Sequence, residues 1–504
     1  MRKHRTSSLR LFSVCRSFLV GGLASLSPIL IAHAQPTPTI SAAIGEGSSA
    51  KPGALSEKQT ERANGLIDKA LKSDLAYEIL ESLTTEIGPR LAGSEGEARA
   101  REWGVRTFKS LGFKNSRIET FELPYWSRVK ETASISAPFP QALAITALGN
   151  SVATPEGGLE GEVVRFASLA DLKDAPLSGL EGKIVFVDEP MTRTMDGSGY
   201  GPAVAKRSGA ANEAGRRGAI AALIRSVGTD SRRMPHTGSM RYQQGIVRVP
   251  TAALSNPDAD QLARAMKLAS AMEAGPVRVA MNIQVMTRES TVSGNVVAEI
   301  PGKTDEIIVI GGHLDSWDLG TGAVDDGAGI AITAAAAKLI HDLPGRPRRT
   351  IRIIMWGAEE VGLYGARAYA DQHKDELHRH VMASESDFGA GNIWQVQSRV
   401  GPEDIDAFKT IVRPIARLGA SWRGNNANGG PDVTPLRTAG VPVFSLRQNG
   451  LDYFDLHHTP DDTLDKIDPE DLKQNVAAWA STVYLLAESD VNFRPAPARE
   501  PMRF

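Results

Sequence analysis

The run Ile307-Ile308-Val309-Ile310-Gly311-Gly312-His313-Leu314-Asp315 decides the fold of this chain. Four consecutive apolar, β-branched residues read as a short buried strand. The His-x-Asp directly behind them sets polar chemistry at its carboxyl end. Three similar runs follow at Ile351–Trp356, His380–Ser384 and Val441–Leu446, separated by helical patterns. Near-continuous apolar strands alternating with helices predict an α/β fold whose largely parallel sheet is covered on both faces. Ligand sites in such sheets lie beyond the carboxyl ends of strands, so the segments after these runs are expected to converge.

Outward from this region, the chain closes with a well-signalled helix. Asp468 suits the N-cap, Pro469 the first helical position, and Leu472, Val476, Trp479, Val483 and Leu486 repeat at helical spacing. Residues 57–130 read as helices followed by an extended stretch, interrupted by the turn-rich loop Gly88–Ser94. Residues 131–292 differ. Short strand candidates such as Lys183–Val187 alternate with Gly/Pro turns, with one Ala-rich helix at about 202–217. A β-rich inserted domain is expected there. The second part of the main domain then covers 293–490, with a tail at 491–504.

The composition is that of a soluble globular protein of two or three domains: 504 residues, 41% hydrophobic and 23% charged. A formal charge of −2 carries no basic excess of the kind nucleic-acid binders show. The single cysteine, Cys15, permits neither an internal disulfide nor a Cys-based zinc site. Arg2, Lys3, Arg5 and Arg10 precede an apolar run from Ser17 to Ala32, which ends in Ala32-His33-Ala34. This is the order of a secretory signal peptide over 1–34, followed by a Pro/Ser/Ala/Gly-rich leader over 35–56. The apolar run is shorter than the ~20 residues of a spanning helix, so no stable membrane span is expected after cleavage. Cleavage after Ala34 leaves 52 Lys and Arg against 59 Asp and Glu, a net charge of −7, and no cysteine. A secreted or periplasmic location fits.

The chemistry concentrates behind the strand runs. His313 is a candidate metal ligand, and Asp315 is placed to accept its other ring N–H and orient it. Asp325-Asp326 sits in a Gly-rich loop before an Ala-rich helix. Acids at a helix start cap free N–H groups, which accounts for one of the two; the other is available to bridge two metal ions. Glu359-Glu360 follows the next strand and invites a division of labour between metal ligand and general base. Glu385-Ser386-Asp387 and the distant His457-His458 complete the set. All donors are N or O, which suits catalytic zinc.

These motifs resemble the co-catalytic di-zinc exopeptidases, the family of bacterial aminopeptidases and glutamate carboxypeptidase II. The resemblance covers roughly residues 60–490. The block from Asp432 through Tyr453-Phe454, His457-His458 and Asp462-Thr463 to Asp468-Pro469 is most similar to the family's carboxypeptidase Q branch. The resemblance implies an α/β/α sandwich with an inserted protease-associated domain, and two Zn2+ per chain. It implies that His313 and Asp387 hold one zinc, that Glu360 and His458 hold the other, and that Asp325 bridges them through a loop with a cis Asp325–Asp326 bond. Glu359 would be the general base. Some relatives carry an oxyanion-stabilising Tyr where this chain has His457, which leaves that role to an imidazole that is protonated or donates N–H. A homodimer is implied by the same branch.

The substrate implied is a dipeptide or short peptide. A carboxypeptidase needs cations or amides for the substrate carboxylate, for which Arg423, Asn425, Asn426 and Arg447 lie in the right region. An aminopeptidase needs an acid for the ammonium group. A metal-free receptor and a single-zinc glutaminyl cyclase are the remaining readings. The complete ligand set with Glu359 speaks against the first, and the inserted domain against the second.

Overall fold

The computed structural model describes residues 55–496. The expected signal peptide, the leader up to residue 54 and the tail beyond 496 lie outside the described residues. A 14-stranded mixed sheet organises the described residues. Its first strands are β1 (Lys114–Ala137), β2 (Gln141–Leu143), β3 (Ile145–Ala147), β4 (Leu159–Phe166) and β5 (Ile184–Val187). Next come β6 (Ala221–Arg225), β7 (Thr251–Leu254), β8 (Arg278–Ile300), β9 (Ile307–His313) and β10 (Thr350–Trp356). The last four are β11 (His380–Glu385), β12 (Ile393–Arg399), β13 (Ser421–Trp422) and β14 (Val443–Gln448).

The strands lie in the order β13-β12-β14-β11-β9-β10-β8-β4-β5-β6-β7-β3, with β1 on β8 and β2 on β1. β10, β9, β11 and β14 run parallel, as do β4, β5, β6 and β7. β8 is antiparallel to β10 at one end and to β4 at the other, so the β1/β8 ribbon joins two half-sheets. Alternation explains the layers. Along β9, Ile308 and Ile310 face the helical core containing Trp479 and Ala331, while Ile307 and Val309 face the opposite core with Trp356 and Leu436. Along β5, Ile184 and Phe186 point to one side and Val185 and Val187 to the other. Apolar residues on both faces of a strand require cover on both sides, and helices provide it.

The closing helix, Pro469–Glu488, starts as expected: the Asp468 side chain accepts from the Glu470 and Asp471 N–H groups. The helix expected at about 202–217 forms as Tyr200–Arg216, but a second long helix, Asn256–Ala271, which was not expected, also accompanies the strands of 131–292. The second helix is capped by Ser255 and buries mainly Ala259, Leu262, Ala265 and Ala269, a face too weakly apolar to stand out in the sequence. At the start of the expected tail, Phe493 is 1% exposed and packs on Phe408. Among the described residues no helix is long and apolar enough to cross a membrane.

Candidate metal centre

Each chemical segment sits just beyond the carboxyl end of a strand. His313 is the last residue of β9, Glu359-Glu360 follows β10, and Asp387 follows β11. Asp325 lies in the turn before the helix Ala328–His341, and His458 follows the short helix Tyr453–Leu456 behind β14. The Asp325–Asp326 peptide is cis.

Asp325 is the centre of the cluster. Its Oδ1 lies 3.1 Å from His313 Nε2 and its Oδ2 lies 3.2 Å from His458 Nε2. Asp387 Oδ1 stands 3.7 Å from the same His313 nitrogen, and Glu360 Oε2 stands 2.9 Å from that of His458. His313 Nδ1–H donates to the Asp315 carbonyl at 2.8 Å, and His458 Nδ1–H donates to the Thr237 carbonyl at 3.2 Å. These bonds select the tautomers that turn both Nε2 atoms inward as ligands. His457 Nε2 is farther from Asp325 Oδ2, at 3.7 Å. Its ring stacks on that of His458 with centroids 3.5 Å apart. Burial and the neighbouring His458 hold the His457 imidazole well below its ordinary range, so it is neutral rather than protonated.

The donor set fits divalent cations. Asp325 Oδ2 and Glu360 Oε1 are buried without a hydrogen-bond partner, although buried polar groups ordinarily find one. Burial, with the charges of Asp387, Glu360 and Asp315, pushes Glu359 well above the usual carboxylate range despite the opposing influence of His313. A bound cation between these carboxylates answers both the orphaned oxygens and the mutual repulsion. Soft sulfur ligands are absent from the described cluster, and the N/O set suits zinc.

Asp315 acts differently from the expectation. The carbonyl, rather than the carboxylate, orients His313; the nearer carboxylate oxygen lies 3.8 Å from the ring nitrogen. The carboxylate instead accepts from the Glu359 N–H at 2.9 Å and the Glu360 N–H at 3.2 Å. It therefore pins the turn that carries both glutamates, because orphan N–H groups after a strand are better acceptor targets than a ring already satisfied by a carbonyl. Asp326 does structural work: Oδ2 accepts from His313 N–H and Oδ1 from Gly329 N–H.

Several residues support the centre through contacts that the sequence did not indicate. Buried Arg90, from the loop Gly88–Ser94, donates to the carbonyls of Leu314, Gly88, Thr321 and Gly322. Asp462 accepts from the N–H groups of Val324 and Asp325. Trp317 Nε1–H donates to Glu360 Oε2 at 2.7 Å. His236 joins Asp230 Oδ1 to the His457 carbonyl, both at 2.7 Å. Asp432 and Glu385 form a second buried acid pair, in which Asp432 N–H donates to Glu385 Oε2. The turn Gly88–Ser94, Glu385, Asp432 and Asp462 stood out in the sequence, but these contacts did not.

A cavity of about 570 Å3 opens over the cluster. Its lining joins Glu359 and the five candidate ligands to Tyr200, Arg207 and Arg241 from the 131–292 segment, and to Asp196 and Arg447. Of the earlier carboxylate candidates, Arg447 lines the cavity. Asn425 turns to Ser398 and Val400, and neither Arg423 nor Asn426 is among the lining residues.

Comparison with known proteins agrees with this geometry. Residues 295–483 match Peptidase family M28. Carboxypeptidase Q of Mus musculus is 34% identical over 417 residues, spanning 82% of this chain and 86% of that protein. The crystal structure of a Peptidase M28 precursor from Shewanella amazonensis has a TM-score of 0.84 at 49% identity, covering 88% of this chain and 100% of that one. A zinc aminopeptidase from Bacillus subtilis shares the fold at a TM-score of 0.61 and 20% identity, covering 84% and 97%.

Proposed function

Because this chain belongs to peptidase family M28 and is a metallo-exopeptidase, we propose that it is a secreted di-zinc enzyme cleaving dipeptides or short peptides from the carboxyl end. The observation that carries the di-zinc reading is the division of Asp325: one oxygen faces His313, the other His458. His313 and Asp387 would hold one zinc, Glu360 and His458 the other, with Asp325 shared. Glu360 is preferred to His457 because its Oε2 stands 2.9 Å from His458 Nε2 and its Oε1 is buried and free, whereas His457 Nε2 lies 3.7 Å from Asp325 Oδ2. When bound, zinc supplies Lewis acidity to the scissile carbonyl and acidifies water.

The chain's own residues do the rest. Glu359 lines the cavity beside the ligands, with its backbone pinned by Asp315. Its carboxylate takes a proton from the attacking water and returns it to the leaving amine. The remaining charged lining decides the substrate end. Arg207, Arg241 and Arg447 offer three cations to a terminal carboxylate, against two further acids, Asp196 and Glu385, the latter already accepting from Asp432 N–H. Asp196 favours the second reading, a di-zinc aminopeptidase, since its carboxylate is kept ionised by the Ser198 side chain and backbone.

The test is zinc analysis together with hydrolysis of free, N-blocked and C-blocked dipeptides. About two zinc ions per chain are expected, with cleavage surviving an N-terminal block but not a C-terminal one. Glu359→Gln should keep its zinc and lose about 10²–10⁴ in kcat. One zinc or none, or no cleavage of any peptide, overturns the reading; the reverse block pattern establishes the aminopeptidase.

A further inference from the structure

The helix Tyr200–Arg216 presents to the cavity Tyr200, which has no part in the steps above, and Arg207, so far only one of three cations near a substrate carboxylate. Tyr200 and Arg207 lie seven residues apart, about two helical turns, and so share a face. The Tyr200 ring is clamped. It stacks on Phe454 with centroids 5.0 Å apart at 15°, and meets His457 at 5.4 Å and 82°. Arg207 Nη1–H donates to the Tyr200 hydroxyl oxygen at 3.0 Å. A phenol oxygen that accepts from a guanidinium keeps its own hydrogen for another acceptor, and no described residue takes it.

Arg207 is itself unusual. It is 3% exposed, its Nε has no hydrogen-bond partner, and no carboxylate among the described residues pairs with it. Its Nη2 lies 3.4 Å from His458 Nδ1, a nitrogen whose hydrogen faces Thr237. A buried cation without a counter-charge is costly unless negative charge reaches it. The reaction described above creates such charge in this cavity, on the carbonyl oxygen of the scissile bond.

We propose that Tyr200, positioned by Arg207, donates its hydroxyl hydrogen bond to the scissile carbonyl oxygen as that oxygen becomes negative. No proton is transferred; the Tyr200 O–H bond stays intact and the hydrogen bond strengthens as charge develops. The inserted segment thereby contributes a group that touches the reacting atoms. His457 is the less suited neighbour, since its ring lies flat on that of His458 with Nε2 turned toward Asp325. The proposal rests on the peptidase reading.

The experiment compares wild type, Tyr200→Phe, Arg207→Lys and His457→Phe for zinc content, dipeptide kcat and KM, and calorimetric binding of a phosphinic dipeptide analogue. Tyr200→Phe should keep its zinc, lose about 10²–10³ in kcat with KM changed less than about threefold, and bind the phosphinate at least about tenfold more weakly. Arg207→Lys should lose less, in the same direction. The proposal is overturned if Tyr200→Phe matches an active wild type, if its loss lies only in KM, if it loses zinc, or if phosphinate binding weakens in His457→Phe alone. A wild type that binds no zinc and cleaves no dipeptide overturns the peptidase reading itself, a distinct result.

Discussion

Asp325 turns one oxygen to each of two histidines only because other residues hold its loop. Asp462 takes the Val324 and Asp325 N–H groups, and Arg90 gathers four carbonyls around the same turn. His458 is held in a left-handed conformation, φ 63°, that a bulky residue avoids unless its surroundings impose it. Thr237 supplies part of that restraint by donating its N–H to the His458 carbonyl, and His236 supplies more through the His457 carbonyl. His236→Asn should therefore weaken zinc binding by about tenfold, checked by competition with a chelating dye. An unchanged zinc affinity would show that the His236 bridge does not hold the ligand. The candidate ligands were legible because a ligand must be His or a carboxylate and these fall in tight motifs. Arg90 and His236 were not: each works across more than 200 residues of chain, a distance no local pattern encodes.

Strands were the most legible elements. The runs beginning at Ile307, Ile351, His380 and Val441 became β9, β10, β11 and β14, the last starting two residues later, at Val443. The helix Asn256–Ala271 was not legible, its apolar face being made largely of alanine. Elements also meet through polar contacts that sequence spacing does not announce. Glu119 on β1, Arg352 on β10 and Glu376 after the helix Tyr364–Gln372 join through His373. Burial alone would raise Glu376, but hydrogen bonds and charge from Arg352, with His373, lower it to about 2 from 4.5. A carboxylate whose folded pKa is depressed adds stability that is present above its unfolded value and lost as pH falls through the folded one. The wild type should thus lose stability between about pH 4.5 and pH 2 beyond that lost by Glu376→Gln. Thermal melts of both proteins across that interval check this; parallel curves would remove Glu376 from the acid response.

In the molecule as a whole, the β1/β8 ribbon joins two half-sheets, and the second half returns residues to the cavity of the first. The candidate ligands come from segments spread between residues 313 and 458, so cations bound among them would cross-link the fold. Free zinc at a hundredfold excess over its dissociation constant would stabilise the native state by about 2.7 kcal/mol per site. Removing zinc with EDTA should therefore lower Tm, with restoration on adding zinc back, and calorimetry decides it. Hydrogen exchange should rise first in the turns around Asp325 and His458; an unchanged Tm after complete removal would refute the cross-link.

The chain by itself determined the α/β class, the strands that carry the centre and the residue types able to bind zinc, because buried strands and metal ligands both restrict composition locally. Only the tertiary structure decided that Asp315 grips the glutamate turn, that His457 lies neutral against His458, and that Tyr200 and Arg207 from the 131–292 segment line the cavity over the cluster. Those outcomes depend on which distant groups satisfy one another's hydrogen bonds and charges once water is excluded, and that is settled by packing.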